Sequence, residues 1–353
     1  MEAIPIRLRT CLACLAFALA AIPAAARSAE RLERVDSSPQ AARAYWTPQR
    51  MRAAVPVEPE LAGDAAQTAA VPASAPADPA YVPPAAAGAP AGATIEPGAP
   101  LQRGGIRGRA IVRDEVLDPA APEARAHGKI FFTIPQGPLA GDFVCSGTVV
   151  NSFNRRVVWT AGHCVYDLAG GYATNWIFVP GYKDGTAPFG EWPARRLATT
   201  TAWQTSANIH YDLGAALVVS NVAGQRLQEV VGARGIGFDQ PRDQLFSAFG
   251  YPAVAPPIEF TGQREFRCLS SSAGTDQPLG AGPPTMAIDC DMGAGASGGG
   301  WIAGNTLLSV TSYGYVGNTD RLYGPYLSAG AKELYKSVRG NKPKKKHHGP
   351  KRP

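Results

Sequence analysis

From Lys129 onward the chain is written in short apolar runs of about four to eight residues, each closed by a cluster of Gly, Pro, Asn or Asp. Such runs occupy 129–134, 143–150, 157–161, 176–180, 213–219, 244–249, 259–268, 286–290 and 306–315, and they are rich in Val, Ile, Phe and Thr. They are too short for helices, and their turn-separated spacing predicts an all-β barrel or sandwich. Helical periodicity is sustained in one place, 328–338, which predicts a closing C-terminal helix. About 210 residues of this texture exceed one small barrel and suit two.

The remainder of the 353 residues divides by composition. Residues 1–29 read as a secretory signal peptide: Arg7 and Arg9 precede an apolar stretch over 11–22, and small residues end in Ala24-Ala25-Ala26. Residues 30–52 are charged and have room for a short helix. From Ala53 to Gln102 there is no Lys or Arg, and Ala, Pro and Gly dominate. That composition has few side chains to bury, so the stretch is expected to be disordered and to pack against nothing. Arg103, Arg107, Arg109, Arg113 and Arg125 then mark a basic stretch open to proteolysis. Residues 30–126 are read together as a pro-segment, with a permanent linker as the alternative. The folded domain is expected over 127–340, as barrels of about 127–225 and 226–340, and 341–353 is a basic tail.

The net charge of +6 is matched by six cations in that tail, Lys342, Lys344, Lys345, Lys346, Lys351 and Arg352. The rest of the chain is neutral, which argues against a nucleic-acid-binding fold. The tail is expected to make at most weak contact with an anionic surface. Beyond the N-terminus no apolar run reaches the roughly 18–20 residues of a membrane-spanning helix, so no integral membrane segment is expected. The chain is read as a secreted monomer, extracellular or periplasmic.

Export decides how the cysteines are read. Cys11 and Cys14 leave with the signal peptide, and Cys145, Cys164, Cys268 and Cys290 remain. An even number in an exported chain predicts two disulfides. Of the three connectivities, the sequence-near pairs Cys145–Cys164 and Cys268–Cys290 are preferred. No zinc-type spacing surrounds them, so no metal is expected.

Three segments carry chemistry. In Thr160-Ala161-Gly162-His163-Cys164 a strand ends in small residues and delivers a histidine beside a cysteine. A bridge at Cys164 would fix the turn, and a general base needs its ring held in one orientation. In Gly293-Ala294-Gly295-Ala296-Ser297-Gly298-Gly299-Gly300 a serine sits among glycines on a tight turn. The N–H groups of Gly295 and Ser297 could converge there as an oxyanion hole. In His210-Tyr211-Asp212-Leu213 a carboxylate precedes an apolar strand. At the rim of a core it needs a partner, and an imidazole N–H is a good one. Taken singly, each segment also fits an ordinary structural residue.

Together the three resemble the chymotrypsin-like serine protease family. The order His163, Asp212, Ser297 is that family's order, T-A-G-H-C matches at 160–164, and G-x-S-G-G matches at 295–299. Within it the chain looks like the bacterial secreted trypsin-like and V8-like branch, through Gly128-Lys129-Ile130-Phe131-Phe132 and Ala173-Thr174-Asn175-Trp176-Ile177. The resemblance covers about 127–335. It implies two packed six-stranded antiparallel barrels with the triad in the cleft between them, and composition places the disordered pro-segment before them. It also implies a peptide or protein substrate and no cofactor. Ala296 stands where animal members carry the activating Asp. The strand expected to line the specificity pocket is Thr311-Ser312-Tyr313-Gly314. It lacks the His of glutamate-specific members, so glutamate specificity is not expected. Asp291, six residues before Ser297, holds the place of a trypsin-like specificity carboxylate and is expected to favour Arg or Lys in the substrate. In a different class altogether, the alternative is an inactive binding protein on the same scaffold, anchored to anionic polymer by its tail.

Overall fold

The computed structural model describes residues 32–62, 79–89, 92, 94, 96–97, 112–253 and 260–342. The expected signal peptide and all of the basic tail beyond Lys342 lie outside the described residues.

Six strands build the first barrel: β1 (His127–Ile134), β2 (Gly141–Val149), β3 (Val157–Thr160), β4 (Thr174–Pro180), β5 (Trp192–Thr199) and β6 (Gly214–Val218). They pair antiparallel in the order β5–β4–β1–β2–β3–β6, and β5 closes the ring on β6. Along β1, Ile130, Phe132 and Ile134 belong to the barrel interior with Trp159, Trp176 and Trp192. Phe131 points the other way and packs with Trp46, Met51, Val144 and Ile177. A strand with both faces covered needs no polar alternation, which is why Ile130, Phe131 and Phe132 follow one another in β1.

The second sheet contains β7 (Gly235–Phe238), β8 (Leu245–Gly250), β9 (Phe266–Asp276), β10 (Thr285–Asp289), β11 (Gly300–Ala303), β12 (Thr306–Val310), β13 (Tyr313–Tyr315) and β14 (Asn318–Gly324). Its order is β13–β14–β10–β9–β8–β11–β12–β7. Phe246, Met286, Ile288, Trp301, Leu308 and Leu322 fill its core. The C-terminal helix, Ala329–Val338, buries Ala331, Leu334, Tyr335 and Val338 against β5, β6 and β7. Its Tyr335 hydroxyl donates to the Asn151 carbonyl at 2.6 Å.

The all-β, two-part architecture with a closing helix stands as expected, but several strands were hidden in the sequence. β5 carries a proline, two exposed arginines and a bulge between Ala194 and Arg196, which break the period. The run at 259–268 is displaced: β9 spans Phe266–Asp276 and continues through Ser271, Ser272 and Gly274, residues that read as loop.

The N-terminal region differs most from expectation. Two short helices, Pro39–Tyr45 and Pro48–Ala53, each start with proline and are capped by Ser38 Oγ and Thr47 Oγ1. The described parts of the Ala/Pro-rich stretch do not stand apart from the domain. Val55–Pro56 pairs with Phe143–Val144 of β2, Glu60–Leu61 with Gly314–Tyr315 of β13, and Ala80–Val82 with β7. Val112–Glu115 pairs with the start of β9. These attachments are made largely by main-chain hydrogen bonds, which composition does not report.

Candidate active site

The ends of β3 and β6 bring His163 and Asp212 together. The two strands pair as Thr160 with Gly214, so the residues just beyond that register meet. His163 lies in a 3-10 turn, Gly162–Cys164, and Asp212 follows another, Ile209–Tyr211. The Asp212 carboxylate accepts three hydrogen bonds: from the His163 main-chain N–H at 2.8 Å, from its ring Nδ1 at 2.8 Å and from Ser312 Oγ at 2.6 Å. Asp212 is wholly buried, so its charge is balanced by these donors rather than by water. The proton on Nδ1 leaves Nε2 as the basic nitrogen. Trp203 stacks edge-on to the imidazole at 6.2 Å, and a Cβ on Gly162 would strike both Trp203 and Asp212.

Ser297 sits on the glycine loop between β10 and β11. Its carbonyl accepts from the Ser146 N–H at 2.7 Å, and Cys164 Sγ approaches the same oxygen. The loop is therefore held against β2 and against the neighbour of His163. Ser146 works twice more, since its Oγ accepts from the Tyr251 N–H and donates to the Gly295 carbonyl. The amides of Ala296, Gly298 and Gly299 are spent within the loop and on Thr311. Those of Gly295 and Ser297 donate to nothing among the described residues, as an oxyanion hole requires. Ser297 Oγ and His163 Nε2 are both sealed from solvent and lack a hydrogen-bond partner among the described residues.

Both disulfides are formed as paired in the sequence. The Cα atoms of Cys145 and Cys164 are 6.1 Å apart, and those of Cys268 and Cys290 are 5.8 Å apart. Cys145, His163 and Cys164 cluster tightly, as do Cys268, Cys290 and Asp291. In each cluster two of the three donors are disulfide sulfurs, not the thiolates that a metal takes.

The four residues read as pocket lining divide by role. The Thr311 hydroxyl accepts from Trp301 Nε1, and Ser312 is committed to Asp212. The Tyr313 hydroxyl bonds Asp276 and Thr285 in the interior. Gly314 presents main chain, and its N–H donates to the Pro59 carbonyl at 3.3 Å. Asp291 lies next to the Cys268–Cys290 bridge, and its Oδ2 is paired with the guanidinium of Arg113. Nothing in the amino-acid pattern marks Ser146 or Trp203 as supports of the site. The one available signal was that Ser146 directly follows a half-cystine.

No protein-family model matches the chain. Among solved structures, it is similar to the protease Anisep from Arthrobacter nicotinovorans, with 36% identity and a TM-score of 0.57 over 65% of this chain and 100% of that one. It is also similar to the thermostable serine protease AL20 from an extremophilic microorganism, with 37% identity and a TM-score of 0.55 over 62% of this chain and 98% of that one. A Glu endopeptidase at 19% identity, TM-score 0.50, covering 65% of this chain and 97% of that one, shares the fold. An extracellular metalloprotease of Bacillus subtilis is 34% identical over 71 residues, 20% of this chain, and the match spans only 22% of that protein.

Proposed function

Because the chain belongs to the chymotrypsin-like serine protease family, we propose that it is a secreted endopeptidase that cleaves peptide bonds through an acyl-enzyme. His163 takes the Ser297 proton as Ser297 Oγ attacks the substrate carbonyl, and Asp212 holds the imidazole tautomer and stabilises the imidazolium. The free N–H groups of Gly295 and Ser297 receive the oxyanion, each worth about 3 kcal/mol. His163 then gives its proton to the leaving amine, and water releases the acyl group.

The observation that carries this reading is the triple hydrogen-bond grip on buried Asp212, which orients His163 beside the Ser297 loop. A merely structural Asp–His contact would not need the ring N–H, the main-chain N–H and a serine hydroxyl on one carboxylate. The two disulfides fit an exported protein, in line with the signal peptide read over 1–29. Asp291 is the proposed source of a preference for Arg or Lys, a role that requires Arg113 to leave it.

The test is covalent labelling with an organofluorophosphonate. Modification at Ser297 that disappears in His163→Ala supports the enzyme. An unreactive Ser297 in a chain freed of residues 32–126 favours the inactive binding protein.

A further inference from the structure

The segment 55–61 meets the domain at two places that flank the triad. On one side Val55–Pro56 pairs with Phe143–Val144, two residues before Ser146, whose N–H holds the Ser297 carbonyl. On the other side Glu60–Leu61 pairs with Gly314–Tyr315, two residues after Ser312, whose hydroxyl holds Asp212. Residues 57–59 join these anchor points. Three extended residues rise about 10 Å, so the crossing between the β2 edge and the β13 edge is short.

Side chains seat the segment at each end. Val57 packs against the main hydrophobic core of the domain. Leu61 packs against the cluster of Trp203, Tyr313, Tyr315 and Tyr323, and Trp203 of that cluster faces the His163 ring. The Gly314 and Val316 N–H groups donate to the carbonyls of Pro59 and Leu61 at 3.3 and 3.1 Å. Ser297 is fully buried and His163 is 7% exposed, an arrangement closed to a substrate carbonyl.

We propose that residues 55–61 are an autoinhibitory strap: they occupy the peptide-binding edges of β2 and β13, cover Ser297, and must detach before a substrate can bind. This rests on the assignment of Ser297 as the nucleophile. The strap runs parallel to both edges it pairs with. A peptide of opposite direction would pair antiparallel with both, which is the more stable ladder. The same edges can therefore exchange the strap for an incoming chain. The strap is tethered, and its high effective concentration keeps the cleft shut until the tether is cut or the strap is weakened. Pro56 and Pro59 bracket the crossing; neither has an N–H to contribute to a further ladder bond.

The experiment uses the full chain and the Val57→Asp/Leu61→Asp variant, with Leu61→Ala as a milder one. Val57 and Leu61 are only partly buried, so both variants are expected to fold. Amide hydrogen exchange is read at Gly314 and Val316, and the rate of fluorophosphonate labelling is read at Ser297. The strap predicts that both amides lose protection in the double variant and that labelling accelerates about tenfold or more, because reactivity scales with the open fraction. Leu61→Ala moves both readouts the same way by less. Unchanged protection overturns the docked strap. Lost protection with an unchanged labelling rate overturns its inhibitory role. Lost protection with no labelling or peptide turnover in any form overturns instead the assignment of Ser297 on which the inference rests.

Discussion

Asp212 grips His163 at two points, accepting from the main-chain N–H through Oδ1 and from ring Nδ1 through Oδ2, each at 2.8 Å. One carboxylate thus fixes both where the residue sits and how its ring is turned. Replacing Asp212 with Asn presents an amide to Nδ1 and favours the wrong tautomer, so kcat is expected to fall by about 10⁴. Ser312→Ala removes a hydrogen bond to a charged group, worth about 1.5–3 kcal/mol, and is expected to lower kcat by about ten- to a hundredfold with KM little changed. Steady-state kinetics on one peptide substrate, with the strap released, measure both.

Gly298 is expected to tolerate no side chain. Its φ is +80°, and a Cβ would lie 2.0 Å from Thr160 Oγ1 and 2.4 Å from the Ser146 carbonyl. Gly298→Ala pays about 1–3 kcal/mol in backbone strain alone, and the clash also pushes the Ser297 loop off β2. Urea denaturation should show the loss of stability. Fluorophosphonate labelling should show an inert Ser297 even where the variant remains folded.

The Cys145–Cys164 bridge ties β2 to the turn that carries His163. The Cys145→Ala/Cys164→Ala double variant is expected to lose about 2–4 kcal/mol of stability. Its turnover should fall further than that of Cys268→Ala/Cys290→Ala, whose bridge holds β9 to the end of β10. Chemical denaturation and kcat measured in parallel distinguish the two bridges.

Specificity is checked on peptides that differ only in having Arg, Phe or Glu before the scissile bond. After release of the N-terminal region, and with it Arg113, an Arg preference is expected. Asp291→Ser should reduce kcat/KM on the Arg peptide at least about tenfold while leaving the Phe peptide nearly unchanged. An Arg preference that survives the substitution removes Asp291 from that role.

Glu58, in the middle of the crossing, is half-buried, but its Oε1 is sealed from water and has no partner among the described residues. Burial, with a smaller push from the charge of Glu60, raises its pKa to about 8. The docked strap thus holds a proton that the detached strap gives up at about pH 4.3. Between those two values the closed form binds more protons, so its stability is full below the lower one and drains away as pH rises through the upper. Labelling of Ser297 in the intact chain should accelerate across that window. Glu58→Gln should flatten this part of the profile and keep the cleft closed at pH 8.

The segments proposed to carry the chemistry were legible as strings because tight turns and a half-cystine leave few residue choices, so Thr160–Cys164 and Gly295–Gly299 stand out. The β texture of the domain was legible for a similar reason, since inward faces such as Ile130, Phe132 and Ile134 must be apolar. What could not be read was whatever the main chain does by itself. Pro59 and Leu61 offer carbonyls to β13 as any residue would, so an Ala/Pro-rich composition gave no hint of docking. The run read as one strand through Thr311 and Tyr313 is two, Thr306–Val310 and Tyr313–Tyr315, with Thr311 and Ser312 between them, and sequence does not say that the Thr311 and Tyr313 hydroxyls turn toward Trp301 and Asp276. Ser146 looked like any strand serine until its bonds to Ser297, Gly295 and Tyr251 were in view.

The N-terminal strands also bear on the order of assembly. Glu60–Leu61 leaves the ribosome early, yet its partner, β13, is nearly the last strand to be made. Contacts so distant along the chain close late. The strap can therefore be seated only on an edge that already exists, when the barrels have largely formed around their own cores. A newly made molecule passes through an interval in which its cleft is shaped but uncovered. The length of that interval, set by how fast the strap finds β13, decides how long each copy is exposed to its neighbours before it becomes latent.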